Sequence, residues 1–229
     1  MQTTSIFEGI FKLLEWFTRF SLTNLLWIFF NLPISFLVAT ISFSNDKSLI
    51  VSTLFIIAAL APFVFFPATA AMYGVISKWV ADDHDFSIIR SYWVLYRENY
   101  KKSLVGGAIL VPIWVIGISD VFFLFKKSLF FSIILIIILL FLFILTTYFF
   151  AVIVHTDLKL LKAFKHSFLF MIINPFNSIF IGLLNLAILY LCLMKFTVLI
   201  PFVMGSGVSY FAFQSYYRKY IRVEQLKEE

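Results

Sequence analysis

The chain of 229 residues is 62% hydrophobic, 20% aromatic and only 13% charged, with a formal net charge of +6. Soluble globular chains run to roughly 45–50% apolar and about 25% charged residues, so this composition excludes a water-facing domain and implies an integral protein of the lipid bilayer. It excludes a disulfide scaffold as well, since Cys192 is the lone cysteine, and it sets nucleic acid aside, because a membrane chain is expected to carry its excess Lys and Arg on the cytoplasmic side.

The chain opens on an amphipathic segment. Glu8, Lys12, Glu15 and Arg19 form one stripe of a helix, and Ile6, Ile10, Leu13 and Phe17 form another. Charges spread through this segment, and the lack of a small-residue cleavage pattern, argue against a signal peptide. The first two apolar spans are expected over 22–43 and 49–72, each long enough for a hydrocarbon core of ~30 Å. Asp82, Asp83, His84 and Asp85 then precede a second amphipathic helix, where an acidic residue or Ser87 serves as cap. In that helix Phe86, Ile89, Trp93, Tyr96 and Tyr100 share an apolar face opposite Arg90, Arg97, Glu98 and Lys101. The third span, 104–125, is the weakest, being interrupted by Gly106, Gly107, Pro112 and Gly117 and carrying Asp120. A fourth span, 128–154, is free of charge; a third amphipathic segment runs from Asp157 to near Phe170; and spans at 173–194 and 196–214 complete the chain.

The expected fold is therefore all-α, a single polytopic domain with six transmembrane helices and cytoplasmic amphipathic helices. The order amphipathic helix, span, span recurs three times and suggests a threefold helical-hairpin pseudo-repeat of about 75–80 residues. Asn24-Leu25 with Pro33 would correspond to Ser103-Leu104 with Pro112, and Asn177-Ser178 to both. Fourteen Lys and Arg residues fall on the side of the termini and four, Lys47, Lys126, Lys127 and Lys195, on the other. The positive-inside rule then places both termini in the cytoplasm.

Reactive chemistry is sparse. None of the eight glycines precedes a lysine, so there is no phosphate-cradling loop. His84, His155 and His166 all fall at the cytoplasmic edge, and Cys192 toward the outer end of its span, which leaves no nucleophile beside a base. The run from Asp82 to Asp85 offers four ligand types in four residues, yet it matches neither zinc spacing nor a calcium loop, and adjacent acids before a helix are better read as caps. No enzyme activity, metal or cofactor is expected. Within the spans the polar residues include Asn24, Asn31, Asn185, Thr146 and Thr147, whose ordinary role is hydrogen bonding between helices. The small-residue runs around Ala68 to Ala71 and Gly205 to Gly207 suit close helix contact.

Three runs carry a resemblance: NLLWIFFNLP at 24–33, FPATAAMYGVISKWV at 66–80 and FSIIRSYWVLYRENYKKSL at 86–104. They resemble the YesL-like family of small bacterial integral membrane proteins, a family of unknown function. The likeness covers the first half of the chain, departs in a longer connection over 43–49, and reduces to hydropathy and length in the second half. It implies a multi-pass protein of the bacterial cytoplasmic membrane, often encoded near carbohydrate uptake and degradation systems, and supplies no catalytic residues. The function expected is a non-enzymatic accessory or scaffold component that docks on a sugar transporter permease through Trp79, Arg90, Trp93 and Arg97. Anchoring at lipid headgroups is the plainer role for those residues. The alternative is a facilitator or carrier for a small neutral solute, with Asn31 and Asn185 lining its path.

Overall fold

The computed structural model describes residues 2–81, 86–125 and 127–228, without the side chains of 2–8, 12, 223, 224 and 226–228. The acidic run Asp82 to Asp85 and the side chains of Glu8 and Lys12 thus lie outside the described residues. All regular structure among the described residues is helical: α1 (Gln2–Phe30), α2 (Leu32–Ser42), α3 (Lys47–Leu60), α4 (Phe65–Val80), α5 (Ile88–Phe125), α6 (Leu129–His155), α7 (Leu160–Ile173), α8 (Pro175–Tyr190) and α9 (Ile200–Glu228). A π-helical turn, Leu191–Lys195, and a 3-10 turn, Thr197–Leu199, join the last two.

Four helices are long and apolar enough to cross a membrane, and the number rises to six if each of two bent pairs is one span. The fourth expected span coincides with α6, and the fifth with α8 plus the π-helical turn. The first two differ from expectation. Span 22–43 is broken at Asn31, where α1 and α2 meet at 82°, and span 49–72 is broken between α3 and α4, which meet at 55°. Proline explains both breaks, because it lacks an N–H and its ring clashes with the carbonyl four residues back. Pro33 sits in the first turn of α2 and Pro62 lies in the break before α4. At the first bend the Asn31 amide turns back to donate to the Trp27 carbonyl at 2.8 Å.

Elsewhere helices run on where a boundary was expected. The first amphipathic segment continues into α1, and the second joins the third span as the 38 residues of α5, about 57 Å at 1.5 Å per residue. The third segment, by contrast, is separate as α7 and is divided from α8 at Asn174-Pro175. Glycines predicted to weaken α5 instead let it approach its neighbours. A Cβ on Gly106 would lie 2.2 Å from the Phe149 ring, and one on Gly107 would lie 2.7 Å from Phe66 and 2.9 Å from the Pro62 Cα.

The centre of the bundle is α4. Every residue from Phe66 to Ile76 is buried, as is Trp79, and the helix packs against α1, α5, α6 and α9. Its Pro-Ala-Thr-Ala-Ala run presents almost no side-chain bulk, so four helices can close on it, which is how packing replaces the hydrophobic effect inside lipid. The outer helices are tied by Asn24, which is fully buried. Its Oδ1 accepts from the Gly205 and Ser206 amides at 2.8 and 3.1 Å, and its Nδ2 donates to the Ile200 carbonyl at 2.7 Å.

Two predictions follow from this packing. Asn24→Leu leaves three backbone groups of α9 without their side-chain partner; at about 1–3 kcal/mol for each unsatisfied buried group, its thermal midpoint in detergent should fall far more than that of Ser119→Ala on the exposed face of α5. Gly107→Ala should lose about 1–3 kcal/mol through overpacking, since the Pro62 backbone cannot move aside. Gly117→Ala should lose less, because it meets only the flexible Leu139 side chain. Equal midpoints for the two glycine variants would show that α5 does not pack this closely on α4.

Candidate functional site

The segments expected to share one side of the membrane meet at one end of the bundle. Arg19 pairs with Glu15 at 2.6 Å and lies 6.0 Å from the Trp79 ring. Lys78 donates to Ser91 at 3.4 Å, Lys102 faces Asp157 at 3.5 Å, and Lys219 donates to Asn174 at 2.6 Å. His155, at the last turn of α6, sits among the rings of Phe213, Tyr216, Tyr217 and Tyr220. These contacts join α1, α4, α5, α6, α7 and α9 through residues of the basic segments, so this is the basic end.

The first half of α5 is partly exposed at this end. The stripe that turns inward is Tyr92, Asn99 and Ser103, with Ser91. The reason is local. Tyr92 is fully buried and its hydroxyl donates to the Ala68 carbonyl at 2.7 Å, while Ser103 and Asn99 donate to carbonyls of their own helix. Short polar side chains that bond their own backbone behave as small packing groups. Trp93 is thereby turned outward, 46% exposed, between the exposed Arg90 and Arg97.

This outward line is rigidly backed. The Arg97 guanidinium lies 4.5 Å above the Trp93 ring, and Trp93 stacks on Tyr96 with planes 4° apart. Beneath them Phe30 touches Tyr92, Trp93 and Tyr96 with centroids 4.8–5.7 Å apart. An exposed cation–π pair contributes about 0.5–1 kcal/mol, enough to bias the rotamer of Arg97 over the ring. Trp79 does not join the group. It is 6% exposed, packs on Phe20, and belongs to the core. Of the four expected contact residues the structure gathers Arg90, Trp93 and Arg97 on one face and places Trp79 apart.

The two expected intramembrane residues are also separate from each other. Asn31 is buried at the bend between α1 and α2, bonded to Trp27. Asn185 is fully buried on α8, and neither atom of its amide is hydrogen-bonded. Neither lines a cavity of about 930 Å³ that sequence reasoning did not foresee. That cavity lies between α3, α4, α5 and α6, with Trp27, Phe66, Tyr73, Trp114 and Phe150 in its wall and the exposed Phe55 and Phe122 at its rim. Two pairs of its polar wall groups are matched: Trp27 Nε1 donates to Thr69 Oγ1 at 3.0 Å and Trp114 Nε1 to Thr146 Oγ1 at 3.3 Å, while the buried Tyr73 hydroxyl stands in the same wall. Such walls suit an apolar occupant. Among the described residues no three His, Cys, Asp or Glu side chains converge in a metal-binding group.

Comparison with known proteins gives two matches. Residues 20–121 match the family described as "Protein of unknown function, DUF624". The chain is also 26% identical over 214 residues to "Uncharacterized protein YteU" of Bacillus subtilis (strain 168), an alignment that covers 92% of this chain and 85% of that protein. No solved structure matches.

The placement of the tryptophans is directly testable. Trp79→Ala should cost about 3–5 kcal/mol, the range for emptying a large aromatic site, with a clear fall in thermal midpoint. Trp93→Ala and Arg97→Ala should each change stability by less than about 1 kcal/mol. Comparable losses at positions 79 and 93 would mean that Trp93 is also a core residue.

Proposed function

From the match of residues 20–121 to the DUF624 family of proteins of unknown function, on helices suited to a multi-pass membrane protein, we propose that this chain is a non-enzymatic accessory or scaffold component of carbohydrate uptake. In this reading it resides in a bacterial cytoplasmic membrane with its basic end inside, and the outer face of α5 docks against the cytoplasmic side of a sugar transporter permease. The observation that carries the reading is the exposed line Arg90, Trp93 and Arg97, stacked and backed by Phe30 and Tyr96.

Trp and Arg are the residue types most often responsible for the energy of protein association, and a surface already held in one arrangement loses little entropy on docking. The assignment to the inside follows the distribution of Lys and Arg. The carbohydrate association draws on the family resemblance in the first half of the chain. A facilitator for a small neutral solute would need a polar path. Asn31 and Asn185 do not reach the large cavity and its indole and threonine groups satisfy one another, so we carry the docking reading forward.

The test is photo-cross-linking in native membranes. A photoreactive residue at position 93 should form an adduct with a sugar transporter permease, identified by mass spectrometry, whereas one at position 137 on the exposed, lipid-facing side of α6 should not. Adducts with lipid alone at position 93 would leave headgroup anchoring as the role of this face and overturn the docking reading.

A further inference from the structure

A second groove, of about 480 Å³, lies between α8 and α9 and is distinct from both the α5 face and the apolar cavity. One end of it is cationic: Arg218, Lys219 and Arg222 line it, and among the described residues no carboxylate does. Arg218 and Arg222 are four apart on α9, so they project from the same side of the helix one turn, about 5.4 Å, apart. Both are exposed at the mouth, and Lys219 is half-buried. Three like charges this close repel one another, a cost relieved by an anion seated between them.

Polar groups fix the shape of that end. Lys219 Nζ donates to Asn174 Oδ1 at 2.6 Å, and the Asn177 amide donates to the Ser215 hydroxyl, which ties the first turn of α8 to α9. Gln214 also lines the wall. Farther along, the groove changes character. Phe180, Leu184 and Phe211 form its other end, with Phe180 64% exposed. Along α9 the passage from Arg222 to Phe211 is 11 residues, about 16 Å at 1.5 Å per residue.

The geometry points to a binding site for an anionic phospholipid at the basic end of the bundle, with the phosphate between Arg218, Lys219 and Arg222 and the acyl chains along Phe180, Leu184 and Phe211. Guanidinium groups bind phosphate oxygens in bidentate, charge-assisted pairs, and basic pockets between transmembrane helices are suited to lipid head groups. The gradient from charge to hydrocarbon within one groove selects an amphiphile over a soluble anion, which would leave the apolar half unused.

Full-length protein purified in mild detergent is titrated with phosphatidylglycerol, with phosphatidylcholine of the same acyl chains, and with inorganic phosphate, and bound molecules are counted by native mass spectrometry. Phosphatidylglycerol should bind in preference to phosphatidylcholine, and R218Q/R222Q should weaken that binding about tenfold or more, the loss of at least one charge-assisted bond. K162Q/K165Q removes the same charge from α7 and should bind like the wild type. Unchanged binding in R218Q/R222Q, or an equal loss in K162Q/K165Q, overturns the site. Displacement of phosphatidylglycerol by an equal concentration of inorganic phosphate overturns its assignment to a lipid. R222Q alone changes one exposed side chain and is measured beside the double variant, so unchanged affinity there overturns the site even if R218Q/R222Q does not fold.

Discussion

The arrangement of the bundle depends on the Asn24 side chain, whose two polar atoms hold three backbone groups of α9. Inside a bilayer no water competes for amides and carbonyls, so a backbone group released from a helix must find a partner within the protein. Asn24 supplies such partners over the first two turns of α9, at the Ile200 carbonyl and the Gly205 and Ser206 amides. Because Asn24 and its three partners are 176–182 residues apart in sequence, this one residue links the beginning of the chain to its end around α4. Gly205 is the complement: a Cβ there would stand 3.0 Å from Asn24 Oδ1 and 3.2 Å from the Met72 Cε.

The same physics decides which prolines and glycines break a helix. Hydropathy along the chain reveals how much apolar length is present, and so α6 and α8 were legible almost to their ends. It does not reveal whether a carbonyl freed by proline finds a partner or whether a glycine lies under a neighbouring ring. Pro33 and Pro62 mark bends, whereas Pro112 lies inside the unbroken α5. Gly106 and Gly107 looked like interruptions in a weak span, yet they are where α5 comes closest to α4 and α6. That role depends on Phe66 and Phe149, contacts between separate helices that one helix's own pattern cannot contain.

The α5 surface was legible for a related reason and only in part. Arg90, Trp93 and Arg97 were recognisable because large aromatic and basic residues crowd one short segment. The inward stripe was not legible because it is made of Tyr92, Asn99 and Ser103, residue types that count as polar until their hydroxyl and amide groups bond to carbonyls. Trp79 shows the converse. Lying next to Lys78, it resembled an interfacial anchor, but its place at the end of the buried α4 draws it under Phe20 and Arg19.

Internal pairing has a consequence for where recognition can occur. The indoles of Trp27 and Trp114 are matched to Thr69 and Thr146, Asn24 to α9, and Tyr92 to α4. These groups make the bundle cohere in lipid, and the two indole–threonine bonds take up donors and acceptors in the wall of the large cavity. Polar groups left exposed include Arg90 and Arg97 on α5 and Arg218 and Arg222 on α9. A stacked Trp–Arg line offers a firm surface to another protein, while a cationic groove with a hydrocarbon floor offers a place to an amphiphile. A surface held by such contacts keeps its shape, and the interior pairs that join α1, α4, α5 and α9 are what hold it.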